Sequence, residues 1–144
     1  ACIVLLRLGE MDEVSTAPLI FLAEDDAAMR SMLRMLLTRS GFAVVDCPDG
    51  AALIAEIERT REGGPRPQVI ISDVQMPGAS GLDVVDTSSR VLPGVPIILI
   101  TAFGDDRTHR RARELGATAV LNKPFILADL QNLVARAVTA SRGG

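Results

Sequence analysis

Five short apolar runs, each followed by a stretch of helical period, constrain this chain more than any other feature. The first run, "LIFLA" (Leu19–Ala23), is continuously apolar, the mark of a strand covered on both faces. Met29, Met32, Leu33, Leu36 and Leu37 then recur at helical spacing, with Arg30, Ser31, Arg34 and Thr38 on the opposite side. Gly41 stands where a helix ends. The alternation repeats. "FAVVDC" (Phe42–Cys47) reads as a strand, and Asp49 as the cap of a helix bearing Leu53, Ile54 and Ile57. "REGGPRP" (Arg61–Pro67) is a loop. "QVIIS" (Gln68–Ser72) is the third strand, and Leu82–Val91 a helix despite the poor formers Asp86–Ser89. "PIILIT" (Pro96–Thr101) precedes a helix over Asp106–Leu115 that Gly116 ends. "AVLN" (Ala119–Asn122) precedes a last helix with Leu127, Leu130, Leu133, Val134, Ala137 and Val138 on one face.

Five strands alternating with five helices predict an α/β fold, a doubly wound (βα)5 domain with a parallel sheet and helices on both faces. The common five-strand order is 2-1-3-4-5, which reverses between the first and third strands, and ligands bind beside the carboxyl ends of strands at such a reversal. The domain is expected over residues 19–138. Residues 1–18 are read as an N-terminal extension or expression remnant, residues 1–10 of it as a loosely held tail, and "TASRGG" (139–144) as a frayed tail.

A net charge of −3 gives no general attraction to nucleic acid or anionic membrane. No apolar run is long enough to span a bilayer, and the first residues lack the basic segment of a secretory signal. Cys2 and Cys47 have no metal-type spacing, so free thiols in a reducing cytoplasm are expected.

The polar residues at the strand ends carry the chemistry. Glu24 and Asp25 follow the first strand and Asp73, within "VIISDVQMPG", follows the third; Thr101 closes the fourth strand and Lys123 follows the fifth. The topology brings all five to one end of the sheet. Three carboxylates in one crevice repel one another unless a cation intervenes, and an oxygen-only donor set favours Mg2+. Lysine is then a point charge for phosphate and the Thr101 hydroxyl a hydrogen-bond partner. A carboxylate so placed is arranged to attack a phosphoryl group and form an aspartyl phosphate.

With "AEDD", "SDVQMPGASG", "ITA" and "NKPF" in this order, the chain resembles the receiver domain of two-component response regulators across roughly residues 19–138. The resemblance implies a flavodoxin-like receiver fold and a signalling role: Asp73 takes a phosphoryl group from a sensor histidine kinase or phosphotransfer protein and switches conformation toward an output domain or protein. It implies Mg2+ held by Glu24, Asp25, Asp73 and the backbone carbonyl of Gln75, with Thr101 and Lys123 assisting transfer. It further implies a cis Lys123–Pro124 bond, slow autodephosphorylation, and a partner surface or phosphorylation-dependent dimer. Gln75 and Phe103 occupy positions that tune dephosphorylation in the family, and bulky Phe103 is expected to hinder water there. Val120 departs from the pattern, standing where many members carry an aromatic that turns inward on activation.

Other assignments are plainer. Asp26 is read as a helix cap, and Met76, Pro77, Gly78 and Gly81 as loop geometry. Arg107, Arg110, Arg111 and Arg113 with His109 wrap one short helix, read first as a solvated face and second as a partner surface. No aromatic interleaves them, which argues against nucleic acid. Three competing functions stay open. A Mg2+-dependent phosphatase working through an aspartyl phosphate would want an acid where Gln75 stands. A flavin domain would want Trp or Tyr, both absent. An interaction module that has lost phosphorylation would be expected to lack part of the site.

Overall fold

The computed structural model describes residues 4–8, 11–15, 17–102 and 104–143, with side chains over 17–102 and 104–140. Five parallel strands form the sheet: β3 (Leu19–Ala23), β4 (Ala43–Cys47), β5 (Val69–Asp73), β6 (Ile97–Thr101) and β7 (Ala119–Asn122). Two earlier strands, β1 (Val4–Leu8) and β2 (Met11–Ser15), pair antiparallel with each other. The order β4-β3-β5-β6-β7 is the expected 2-1-3-4-5 arrangement. The reversal lies between β3 and β5, which pair with Ile20 opposite Val69 and Ala23 opposite Ser72.

Alternation within the apolar runs divides the core in two. Phe21, Ile70 and Leu99 face one side, where they meet Leu53, Ile57, Val84, Val85 and Ala112. These belong to α2 (Gly50–Arg59), α3 (Gly81–Val91) and α4 (Asp106–Leu115). Ile20, Leu22, Ile71, Ile98 and Ile100 face the other and meet Leu33, Leu37, Leu130 and Val134. Those come from α1 (Ala27–Arg39) and α5 (Leu127–Gly143). A central strand buried on both faces has no polar period to show, so these runs are continuously apolar.

Local chemistry sets the helix ends. Asp26 caps α1 by accepting from the amides of Ala28 and Met29, and Asp49 caps α2 by accepting from Ala52. α3 forms through its polar run because Ser80 and Asp83 close a capping box while Val84 and Val85 are buried. Gly81 opens that helix rather than serving a loop. A Cβ there would come within 2.8 Å of the Val74 Cα, so only glycine lets α3 start against the end of β5.

Two expectations for the ends need correction. Residues 1–10 were expected as a loosely held tail, but Val4–Leu8 pairs antiparallel with Met11–Ser15, and two strands with no helix between them fall outside the alternation that reveals the other five. The tail expected to fray over 139–144 is helical as far as Gly143, since α5 runs on from Val138, its last buried residue among those described. The Thr139 hydroxyl donates back to the Ala135 carbonyl at 2.9 Å, one turn earlier in the helix. Among the described residues no helix is long and apolar enough to cross a membrane.

Candidate functional site

The carboxyl ends of β3, β5, β6 and β7 deliver the polar residues to one rim. Glu24 leaves β3 with its amide donating to the Cys47 carbonyl at 3.2 Å, and Asp26 begins α1 two residues later. Asp73 is the last residue of β5, and the next amide, Val74, donates to Ile100 at 2.8 Å. Thr101 ends β6. The Lys123 amide donates to the Thr101 carbonyl at 2.7 Å, which fixes the start of the loop after β7. The Lys123–Pro124 bond is cis, as the resemblance implied.

The side chains meet. Lys123 Nζ donates to Asp73 Oδ2 at 2.8 Å and lies 3.4 Å from both carboxylate oxygens of Glu24, a residue 99 positions away. The Gln75 amide donates to Asp73 Oδ1 at 3.2 Å, and the Asp26 amide to Glu24 Oε1 at 3.4 Å. Thr101 Oγ1 donates to Gln75 Oε1 at 3.2 Å. Glu24, Asp73 and Thr101 are buried, whereas Asp25 is exposed at the mouth. Asp25, Gln75, Met76, Pro77 and Ser80 line an open groove of about 480 Å³.

Electrostatics at the rim follow from burial beside like charge. Burial pushes the Glu24 carboxyl up to about 7, helped by the hydrogen bond and negative charge of Asp73 and opposed by Lys123. For Lys123, burial acts to lower the pKa. The Asp73 hydrogen bond and the charges of Asp73 and Glu24 outweigh it, so the ammonium is held above its ordinary value. One ammonium thus faces two buried carboxylates, and the set becomes net negative only as Glu24 gives up its proton.

Carboxylate oxygens of Glu24, Asp25 and Asp73 lie within 4.8 Å of one another, with no His or Cys in the group. That donor set fits a hard divalent cation bound through a few carboxylates and water. Four of the five expected side chains, Glu24, Asp73, Thr101 and Lys123, are linked directly or through Gln75, and Asp25 completes the acidic group.

Several residues were not legible as site components. Arg30 Nη1 donates to the Glu24 carbonyl at 2.9 Å while its Nε lies 3.7 Å from Asp46 Oδ2, so it steadies the acidic turn from α1. Its only sequence signal is a basic residue one turn into the helix after the acids. The Gln75 side chain, at a position the resemblance linked to dephosphorylation, accepts the Thr101 hydroxyl on its amide oxygen, a contact the sequence did not suggest. Phe103 and Cys2 lie outside the described residues. Cys47 is a buried free thiol whose pKa burial, with nearby Glu56 and Asp46, pushes up to about 12. On α4, Arg111 pairs with Glu114 at 3.7 Å, as a solvated face would.

Known proteins share this arrangement. A family model described as "Response regulator receiver domain" matches residues 20–135. The transcriptional regulatory protein PdtaR of Mycobacterium tuberculosis is 34% identical over 128 residues, 85% of this chain and 58% of PdtaR. The transcriptional regulatory protein FixJ of Bradyrhizobium diazoefficiens is 34% identical over 106 residues, 74% of this chain and 49% of FixJ. The chain therefore spans about half the length of these two relatives. Among solved structures, chemotaxis protein CheY4 of Vibrio cholerae superposes with a TM-score of 0.74 at 26% identity, covering 85% of this chain and 99% of that one. A CheY-like receiver domain of Methanospirillum hungatei shares the fold at a TM-score of 0.80 and 19% identity, covering 90% and 100%. With the family matched across most of its length, the topology it requires and the acids, hydroxyl and lysine at one rim, this chain belongs to the response regulator receiver domains of two-component signalling systems.

Proposed function

We propose that Asp73 is the phosphoacceptor of this receiver domain and that Glu24, Asp25, Asp73 and the Gln75 carbonyl hold Mg2+. The observation carrying the reading is the Lys123 ammonium set between Asp73 and Glu24, beside a third carboxylate. A phosphohistidine of a kinase or phosphotransfer protein is the donor. One Asp73 carboxylate oxygen attacks phosphorus, the P–N bond breaks, and its electron pair leaves with the imidazole, giving an acyl phosphate. Bound Mg2+ supplies charge neutralisation on the transferring oxygens. Lys123, released from its contact with Asp73, offers its ammonium to a phosphoryl oxygen, and Thr101 exchanges Gln75 for another. The Gln75 amide orients the carboxylate throughout.

The product is a signalling state rather than a turnover product, and its slow hydrolysis returns the resting form. The added negative charge redistributes two conformations by the amount it favours one of them. The α4 face, with Arg107, Arg110 and Arg113, is the surface offered to an output domain, a downstream protein or a second phosphorylated copy. The buried free Cys47 accords with a reducing cytoplasm.

Incubation with Mg2+ and acetyl phosphate tests the assignment by intact mass. The wild-type protein gains one phosphoryl group and Asp73→Asn gains none. Labelling of Asp73→Asn, or of neither protein, overturns the assignment.

A further inference from the structure

The loop from Thr101 to α4 is pinned at both ends. At its start, the Thr101 carbonyl accepts from the Lys123 amide at 2.7 Å, and Thr101 lies opposite Asn122 in the sheet register. At its end, Asp105 caps α4 by accepting from the Thr108 amide at 2.8 Å, and the His109 amide donates to the Asp105 carbonyl at 3.1 Å. The His109 side chain then reaches back across the loop. Its Nε2 lies 2.8 Å from Asn122 Oδ1, and the tautomer with its proton on Nε2 donates to that oxygen. Gly104 passes beneath this pair. A Cβ on Gly104 would collide with Asn122 Oδ1 and stand 2.9 Å from His109 Nε2.

We infer that His109 and Asn122 form a latch that sets the resting position of the Thr101 loop, with Gly104 as the residue that lets it close. The inference rests on the phosphoacceptor reading and names a regulation of that site. In the latched state the Thr101 hydroxyl is committed to Gln75 Oε1. To serve a phosphoryl group on Asp73, that hydroxyl turns toward the rim, and Gly104 moves with it. Gly104 has no free space against Asn122, so the movement displaces the His109–Asn122 contact. The latch therefore belongs to the resting state alone, and its free energy opposes phosphorylation. Since His109 sits on α4, the same contact reports occupancy of the site to the arginine-bearing face. Both are positioning residues that act through Thr101.

Removing the latch is expected to speed labelling by acetyl phosphate and Mg2+ about two- to tenfold, the range of one exposed hydrogen bond. His109→Ala and Asn122→Leu each show this gain, and the double variant gains no more than either single one. Asn122→Asp keeps an acceptor for Nε2 and stays near the wild-type rate. Gly104→Ala, whose Cβ forces the pair apart, matches the latch-open variants. Thermal unfolding of every variant separates this pattern from general loosening, because a merely structural role would lower Tm without the non-additive gain in rate. Wild-type labelling with unchanged or additive variant rates overturns the latch and leaves the phosphoacceptor reading intact. A wild-type protein that takes no label overturns both.

Discussion

Glu24 is the residue whose environment departs furthest from that of a solvated carboxylate at the rim. Buried beside Asp73, it has a folded-state pKa of about 7 against an ordinary 4.5. Below about 4.5 the group is protonated in both folded and unfolded chains, and its favourable share of stability is fully present. As pH rises toward 7 the unfolded chain has released the proton that the folded one keeps, so that share is lost. Metal-free protein should therefore lose stability between pH 4.5 and 7, as urea midpoints would show, and Glu24→Gln should flatten the trend. A bound cation must displace the same proton. Its affinity is expected to weaken about tenfold from pH 8 to pH 6, measurable by titration calorimetry with Mg2+. An unchanged affinity would mean that Glu24 stays ionised without the ion. At this scale the sequence showed the acids, Thr101 and Lys123 well, because each follows a strand whose end topology fixes. Arg30 was hidden, since its role is to hold a backbone carbonyl and nothing in its spacing says so.

Among the elements, α1 joins stability to function most directly. Asp26 starts it one residue after the acidic pair, and Leu33 anchors it in the core with Ile20, Leu22 and Val134. Leu33→Ala should cost about 2–5 kcal/mol in chemical denaturation, as truncation of a fully buried leucine does. Cost below 1 kcal/mol would mean that the core closes over the gap. The strands and most helices were legible because continuous apolar runs and helical spacing are different periods. α3 was harder to read, since its propensities are poor and its stability comes from a capping box and buried valines. β1 and β2 were not legible, and α5 outran the apolar spacing that identified it, which ends at Val138.

At the scale of the whole molecule, the site depends on the complete parallel sheet. Glu24 and Asp25 follow its first strand in chain order and Lys123 its last, so binding at the rim couples to global stability. Mg2+ at about one hundred times its Kd should raise Tm by roughly 5–10 °C, and Asp25→Asn should remove most of that shift. An equal shift in the variant would place the ion elsewhere.

The Lys123–Glu24 contact also has a consequence during synthesis. On the ribosome, a chain that has not yet emitted its final βα unit carries the acids without the ammonium that balances them. The complete rim thus forms only when β7 and the loop after it have joined the sheet, so the acidic group waits on the last part of the fold for its counter-charge.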